Sequence, residues 1–220
     1  MPDKHFTYGG SNAHIWFYCD GSAQLSRMVP QVEAGESAKR GTRIHDLACK
    51  IYNKDVIIGN LDEINIANKY VKDCLEIAPA VHMEELYSRN DEFGGTVDGW
   101  TLKDNVLYVW DLKTGKSKVS AKNNEQLLFY TFLLDICLPE IESFKLGIYQ
   151  NEKFDWWELS LEEMTNWFTF IQKRIEHLRY QPLTLTKGSH CLWCKAKHVC
   201  WEYNKDKPTE TIMKIDTSSF

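Results

Sequence analysis

Between Pro79 and Lys113 the apolar residues follow the spacing of strands, while on both sides they follow the spacing of helices. This switch of period restricts the chain to a mixed α/β fold. Residues 83–89 read as a first strand. Gly94-Gly95 then opens a second strand over 96–102, Lys103-Asp104-Asn105 supplies turn residues, and 106–112 makes a third. Upstream, a short helical run covers 23–28. A clear helix begins after Gly41 and Thr42, with Ile44, Leu47, Ala48 and Ile51 on one face and His45 at its edge. Asn60, with Glu63 three residues on, starts another helix, whose stripe is Ile64, Ala67, Val71, Cys74 and Leu75 and whose end is marked by Pro79. Downstream, Leu127, Leu128, Thr131, Phe132 and Leu134 predict a helix from Asn123 to a stop at Pro139. Two more strands follow over 144–149 and 154–159. Ser160 with Glu163 then forms a capping box for a helix reaching about His177.

At 220 residues and 43% hydrophobic content the chain has material for a full core, and no repeat or linker divides it, so one domain over 1–220 is expected. No run of eighteen apolar residues exists and the first eleven residues are polar, which predicts a cytoplasmic protein without a membrane partner. The net charge of −5 argues against a basic coat for nucleic acid, though not against a local groove. Seven cysteines, an odd number, do not suggest a disulfide framework. Core thiols, metal ligands or reactive thiols remain, and Cys49, Cys74 and Cys137 fall on or beside apolar helix stripes, as core residues do.

The hairpin carries the chemistry. Asp98 and Asp111 sit on neighbouring strands where their carboxylates can meet, and two close carboxylates repel unless a cation lies between them. Oxygen ligands suit magnesium or manganese. Lys113, two residues beyond Asp111, shares its face because strands repeat every two residues. Two carboxylates, a hard divalent ion and an ammonium are the parts of a phosphodiester-cleaving site. Glu84 or Glu85 on the first strand would add a carboxylate. Asp-x-Lys alone is weak evidence, since roughly one such triplet is expected by chance in a chain of this length. Near the other end, Cys191-x2-Cys194-x5-Cys200 offers three soft ligands where a metal needs four. His190 or His198 would complete a local zinc knuckle, whereas Cys19 would join the two ends of the chain.

Taken together, Gly41-Thr42-Arg43-Ile44-His45, Gly95-Thr96-Val97-Asp98, Asp111-Leu112-Lys113 and Gln126-x3-Tyr130, in that order, resemble the RecB-type branch of the PD-(D/E)XK nuclease superfamily. The resemblance implies a restriction-endonuclease-like α/β core. It implies metal ligation by His45, Asp98, Asp111 and the Leu112 carbonyl, catalysis by Lys113 with Asp98 and Asp111, and substrate support from Gln126 and Tyr130. A Gly-x-x-Asp stands where other branches have proline before the aspartate. One cysteine near the start and three near the end further resemble the iron–sulfur nucleases of the AddAB and CRISPR adaptation type. That implies a 4Fe-4S cluster on Cys19, Cys191, Cys194 and Cys200, with 15–28 and 185–205 stapled together; zinc is the alternative.

The function implied is a magnesium- or manganese-dependent deoxyribonuclease. It would be an exonuclease on single-stranded DNA ends with little sequence specificity, working in recombination, repair or CRISPR or viral DNA processing, with any helicase a separate protein. The alternative is a non-cleaving DNA-binding or interaction module. Lys39, Arg40 and Arg43 on one side of the site, and Lys116, Lys118 and Lys122 on the other, would line a groove for the backbone. Trp156, Trp157 and Trp193 are candidates for base stacking, although tryptophans more often pack in cores.

Overall fold

The structure, a computed structural model, describes residues 6–30, 33–134 and 141–206. Strand β1 is Tyr8–Gly9, and two short helices follow, α1 at Ala13–Trp16 and α2 at Ser22–Arg27. Helices α3 (Glu36–Tyr52) and α4 (Leu61–Ile77) precede strands β2 (His82–Ser88), β3 (Phe93–Lys103) and β4 (Val106–Lys113). Then come α5 (Glu125–Leu134), β5 (Ser143–Gln150), β6 (Lys153–Ser160), the long α6 (Leu161–Tyr180) and a final α7 (Trp201–Asn204). The strands form one mixed sheet. β2, β3 and β4 run antiparallel in turn, β4 and β5 are parallel across the α5 connection, and β5 and β6 are again antiparallel. β1 adds a short parallel pairing to the start of β3.

Alternation along β4 divides the core in two. Leu107 and Val109 face a cluster that includes Trp16 of α1, Leu127, Leu128 and Phe129 of α5, and Ile171 and Ile175 of α6. Trp110 and Leu112 face the other way, onto Ile44, Leu47 and Ala48 of α3 and Ala67, Tyr70 and Val71 of α4. Helices therefore cover both faces of the sheet. Buried Trp110 keeps its indole N–H satisfied by donating to the Tyr70 hydroxyl at 2.8 Å. Gly99 lies opposite it because a Cβ there would come within 2.2 Å of the ring.

Several boundaries differ from the expectation. Helix α3 starts at Glu36, a turn and a half before Gly41, because Glu36 to Arg40 are all helix-compatible and the interior glycine serves a close approach. A Cβ on Gly41 would sit 3.0 Å from the Thr114 hydroxyl. At the start of α4, the Asn60 side chain accepts from the amides of Asp62 and Glu63, but Glu63 does not close the box; it pairs with Arg43 instead. The Ser160–Glu163 capping box of α6 is complete. Gly94 and Gly95 lie inside β3 rather than before it. Cys74 is buried as expected, whereas Cys49 is only half-buried. Cys137 and the Pro139 stop fall outside the described residues. Among the described residues no helix is long and apolar enough to cross a membrane.

Candidate metal centre and its cavity

The ladder between β3 and β4 stops at Gly99 opposite Trp110. Beyond it the strands part, and side chains take over from the backbone. The Asp98 carboxylate accepts the Leu112 amide at 2.7 Å, which satisfies a buried donor that the lost ladder would orphan. The Leu112 carbonyl lies 3.2 Å from His45 Nε2, and His45 Nδ1 lies 2.7 Å from Glu84 Oε1 and 3.6 Å from Asp98 Oδ2. His45 reaches the fork because α3 packs its Ile44–Leu47–Ala48 face on the sheet, which turns the neighbouring edge of the helix toward the opening.

Glu84, rather than Glu85, joins the fork. Glu84 stands in the β2 register opposite Asp98, between the pairs Met83–Gly99 and Glu85–Val97, and its backbone is left-handed at φ 53°. For a non-glycine residue that conformation costs on the order of 1–3 kcal/mol. Glu85 turns outward to pair with His82 and accept from Tyr87. The set of three ligand atoms lying within 4.8 Å of one another is therefore His45, Glu84 and Asp98.

Asp111 stands beside that set and is held from the other side. Lys113 Nζ lies 2.7 Å from Asp111 Oδ2, and Gln126 of α5 binds both residues. Its amide donates to Asp111 Oδ1 at 2.6 Å and its carbonyl accepts from Lys113 at 2.9 Å. The same amide group reaches the Tyr130 hydroxyl at 3.0 Å, one helical turn on. Tyr130 packs so closely on Gly10 that a Cβ there would meet the ring at 2.0 Å, so the N-terminal segment completes this wall.

The electrostatics follow from burial and crowding. Burial, then the Asp111 charge, pushes the Asp98 carboxyl well above its ordinary pKa, against the pull of His45. Burial opposes the charge on His45, yet Asp98, the Glu84 hydrogen bond and Asp111 outweigh it and raise its pKa to about 10. Lys113 is likewise held charged by Asp111 and Asp98 despite burial. Such crowding of buried carboxylates is what a bound divalent cation relieves, and three carboxylates, an imidazole and a backbone carbonyl suit a hard ion with an adaptable shell.

The fork opens into a cavity of about 1270 Å³. Beside His45, its basic residues are Lys113, Lys50, Arg27 and Lys195; Lys50 lies on α3 beyond the Lys39–Arg43 run, and Arg27 and Lys195 lie on segments that no local charge pattern marked. The basic residues expected there lie elsewhere. Arg43 pairs with Glu36 and Glu63, Arg40 approaches Glu63 at 4.0 Å, and Lys39, Lys116, Lys118 and Lys122 do not line the cavity. Trp156 stacks on Phe154 at 4.5 Å and Trp157 packs on the main core, so neither is placed to stack bases. Cys49 and His14 also reach the cavity wall.

At the far side the four cysteines are all buried. Cys19 and Cys191 both bind the backbone of Thr186: its amide donates to Cys19 Sγ at 3.5 Å, and Cys191 Sγ donates to its carbonyl at 3.8 Å. Burial raises the Cys19 thiol pKa, and Cys191, Cys194 and Cys200 add to it, so all three stand close enough to be felt. His190 is buried on the Thr186 carbonyl at 2.9 Å and stacks on Tyr18, while His198 is exposed. Four buried thiols that make no ion pair among the described residues form a donor set that fits a soft metal or an iron–sulfur cluster.

No curated protein matches the chain. The solved crystal structure of SSO0001 is similar over 86% of this chain and 84% of that one, at 14% identity and a TM-score of 0.39, a distance at which nothing is transferred. A family model described as "Protein of unknown function (DUF2800)" matches residues 64–218, which runs from α4 through the sheet to the three C-terminal cysteines, and the chain belongs to that family.

Proposed function

We propose that this chain is a metal-dependent deoxyribonuclease with a restriction-endonuclease-like core of the PD-(D/E)XK superfamily, RecB-type branch, acting as an exonuclease on single-stranded DNA ends. The observation that carries the reading is the fork itself. Asp98 and Asp111 come from strands that part at that point, and Lys113 is fixed on Asp111 and Gln126. His45, Glu84, Asp98, Asp111 and the Leu112 carbonyl would hold magnesium or manganese, which when bound neutralises phosphate charge and acidifies water. Lys113, charged and positioned, orients the attacking water and donates to the phosphate as negative charge builds on it. Gln126, braced by Tyr130, holds Lys113 and Asp111 in place, so the pair would support the substrate from behind rather than grip it.

We further propose that the four cysteines carry a 4Fe-4S cluster. Their distribution, one cysteine near the start and three near the end, resembles that of the iron–sulfur nucleases and supports this over zinc. The cluster would staple 15–28 to 185–205 and complete one domain.

The test is cleavage of labelled linear single- and double-stranded DNA with manganese by protein purified without oxygen. Lys113→Ala and Asp111→Ala are each expected to lose at least about 100-fold in rate. Equal activity in the wild type and both variants rejects the site. Fresh protein absorbing near about 400 nm supports the iron–sulfur assignment, and colourless protein with stoichiometric zinc rejects it.

A further inference from the structure

We propose that Trp193 is a base-stacking platform for an unpaired DNA strand whose end lies at the acidic fork, with Lys195 beside it on a phosphate. This deepens the nuclease reading and rests on it. Trp193 and Lys195 line the same cavity as His45, Asp98, Asp111 and Lys113, so the cysteine cap forms one wall of the space that holds the fork.

Trp193 lies between two of the four cysteines, yet its own side chain is left largely open. The residue is 70% exposed, while Cys191 and Cys194 are buried. The backbone on either side is fixed by tight turns: the Trp193 amide donates to the His190 carbonyl at 3.2 Å, and the Cys194 amide to the Cys191 carbonyl at 3.2 Å. A large flat ring on a fixed backbone, open to a concave space, is a surface for another ring. Lys195, two residues on, is exposed and has no hydrogen-bond or ion-pair partner among the described residues. An indole face next to a free ammonium matches the two parts of a nucleotide, its base and its phosphate. Within a duplex the base faces are already stacked on each other, whereas an unpaired strand offers each of its bases to the indole. Preference for single strands would then be set by the cysteine cap rather than by the carboxylates.

Trp201 supplies an internal control. At 66% it is nearly as exposed, and it lies on α7 in the same cap, but it does not line the cavity.

The experiment is the affinity of a short labelled oligothymidine, read by fluorescence anisotropy, for wild type, Trp193→Ala, Trp193→Phe and Trp201→Ala. The same oligonucleotide carrying abasic sites is measured alongside. Trp193→Ala is expected to weaken binding roughly tenfold or more. Trp193→Phe should keep most of the affinity and Trp201→Ala all of it. The abasic strand should bind wild type weakly and lose nothing further in Trp193→Ala, since the lost partner is the base. Unchanged affinity in Trp193→Ala, or an equal loss on the abasic strand, overturns the proposal. The nuclease reading is judged separately. If Lys113→Ala abolishes manganese-dependent cleavage while Trp193→Ala keeps the wild-type strand preference, the stacking inference alone falls. If wild type neither binds nor cleaves DNA, both fall.

Discussion

Gln126 is the side chain on which the arrangement of the fork turns. It contacts Asp111 with one end of its amide and Lys113 with the other, so a single rotamer sets the distance between carboxylate and ammonium. Gln126→Ala removes that bridge without adding a charge. We expect activity to fall about 10- to 100-fold, with more manganese needed for half-maximal rate and the melting temperature nearly unchanged. A manganese titration of cleavage, set beside a thermal melt, reads both. A variant with full activity at the wild-type manganese requirement rejects the role. The alignment of Lys113 with Asp111 was legible because it depends only on the two-residue repeat of a strand. The choice between Glu84 and Glu85 was not. It depends on a left-handed backbone in the middle of β2 and on the register with β3, neither of which alternation records.

Among the elements, the segment from α1 to α2 is tied to α6 through Asp20. Its carboxylate accepts from Thr184 and His177 and lies against the Arg174 guanidinium. Burial works against the charge, but these three partners prevail and lower the pKa to about 2. A depressed acid contributes stability that is complete above the unfolded pKa of about 4 and is lost as pH falls toward about 2, on the order of 2 kcal/mol in all. Acid unfolding of wild type and Asp20→Asn should therefore converge as pH drops through that window and separate above it, with wild type the more stable. A constant gap between them at all pH values would contradict the linkage. The larger elements were legible, because α3, α4, α6 and the hairpin each carry a stripe or alternation of their own. The two-residue β1 and four-residue α1 lie below the window of any periodicity. Gly41 read as a helix breaker because the hydroxyl that explains it, on Thr114, comes from a different element. The expected basic groove failed for a related reason. Arg43 is a local excess of charge in the sequence, but in the fold Glu63 of α4 takes it up.

For the molecule as a whole, the four proposed cluster ligands join segments from opposite ends of the chain; 15–28 also packs Trp16, Phe17 and Ala23 into the main apolar cluster, whereas 185–205 contributes to neither cluster. Cys19→Ser should therefore release the cap before the core. Hydrogen exchange is expected to show protection lost over 185–205 with α1 and strands β3, β4 and β5 still protected. Cooperative loss everywhere would mean that the core depends on the staple.

The way the N-terminal segment is fastened also sets an order of events in time. Tyr8–Gly9 pairs with Phe93 and Gly94, Gly10 lies against Tyr130, the Trp16 carbonyl accepts from Arg174, and Gly21 donates to Thr184. In synthesis this segment precedes Tyr130, Arg174 and Thr184, so it must wait for them before it finds its partners. Because Gly9, Gly10 and Trp16 of this segment and Trp193 and Lys195 of the cysteine cap line the cavity around the fork, a nascent chain can hold a folded sheet while that cavity is still incomplete, and its walls close only after synthesis has passed the cysteine cap.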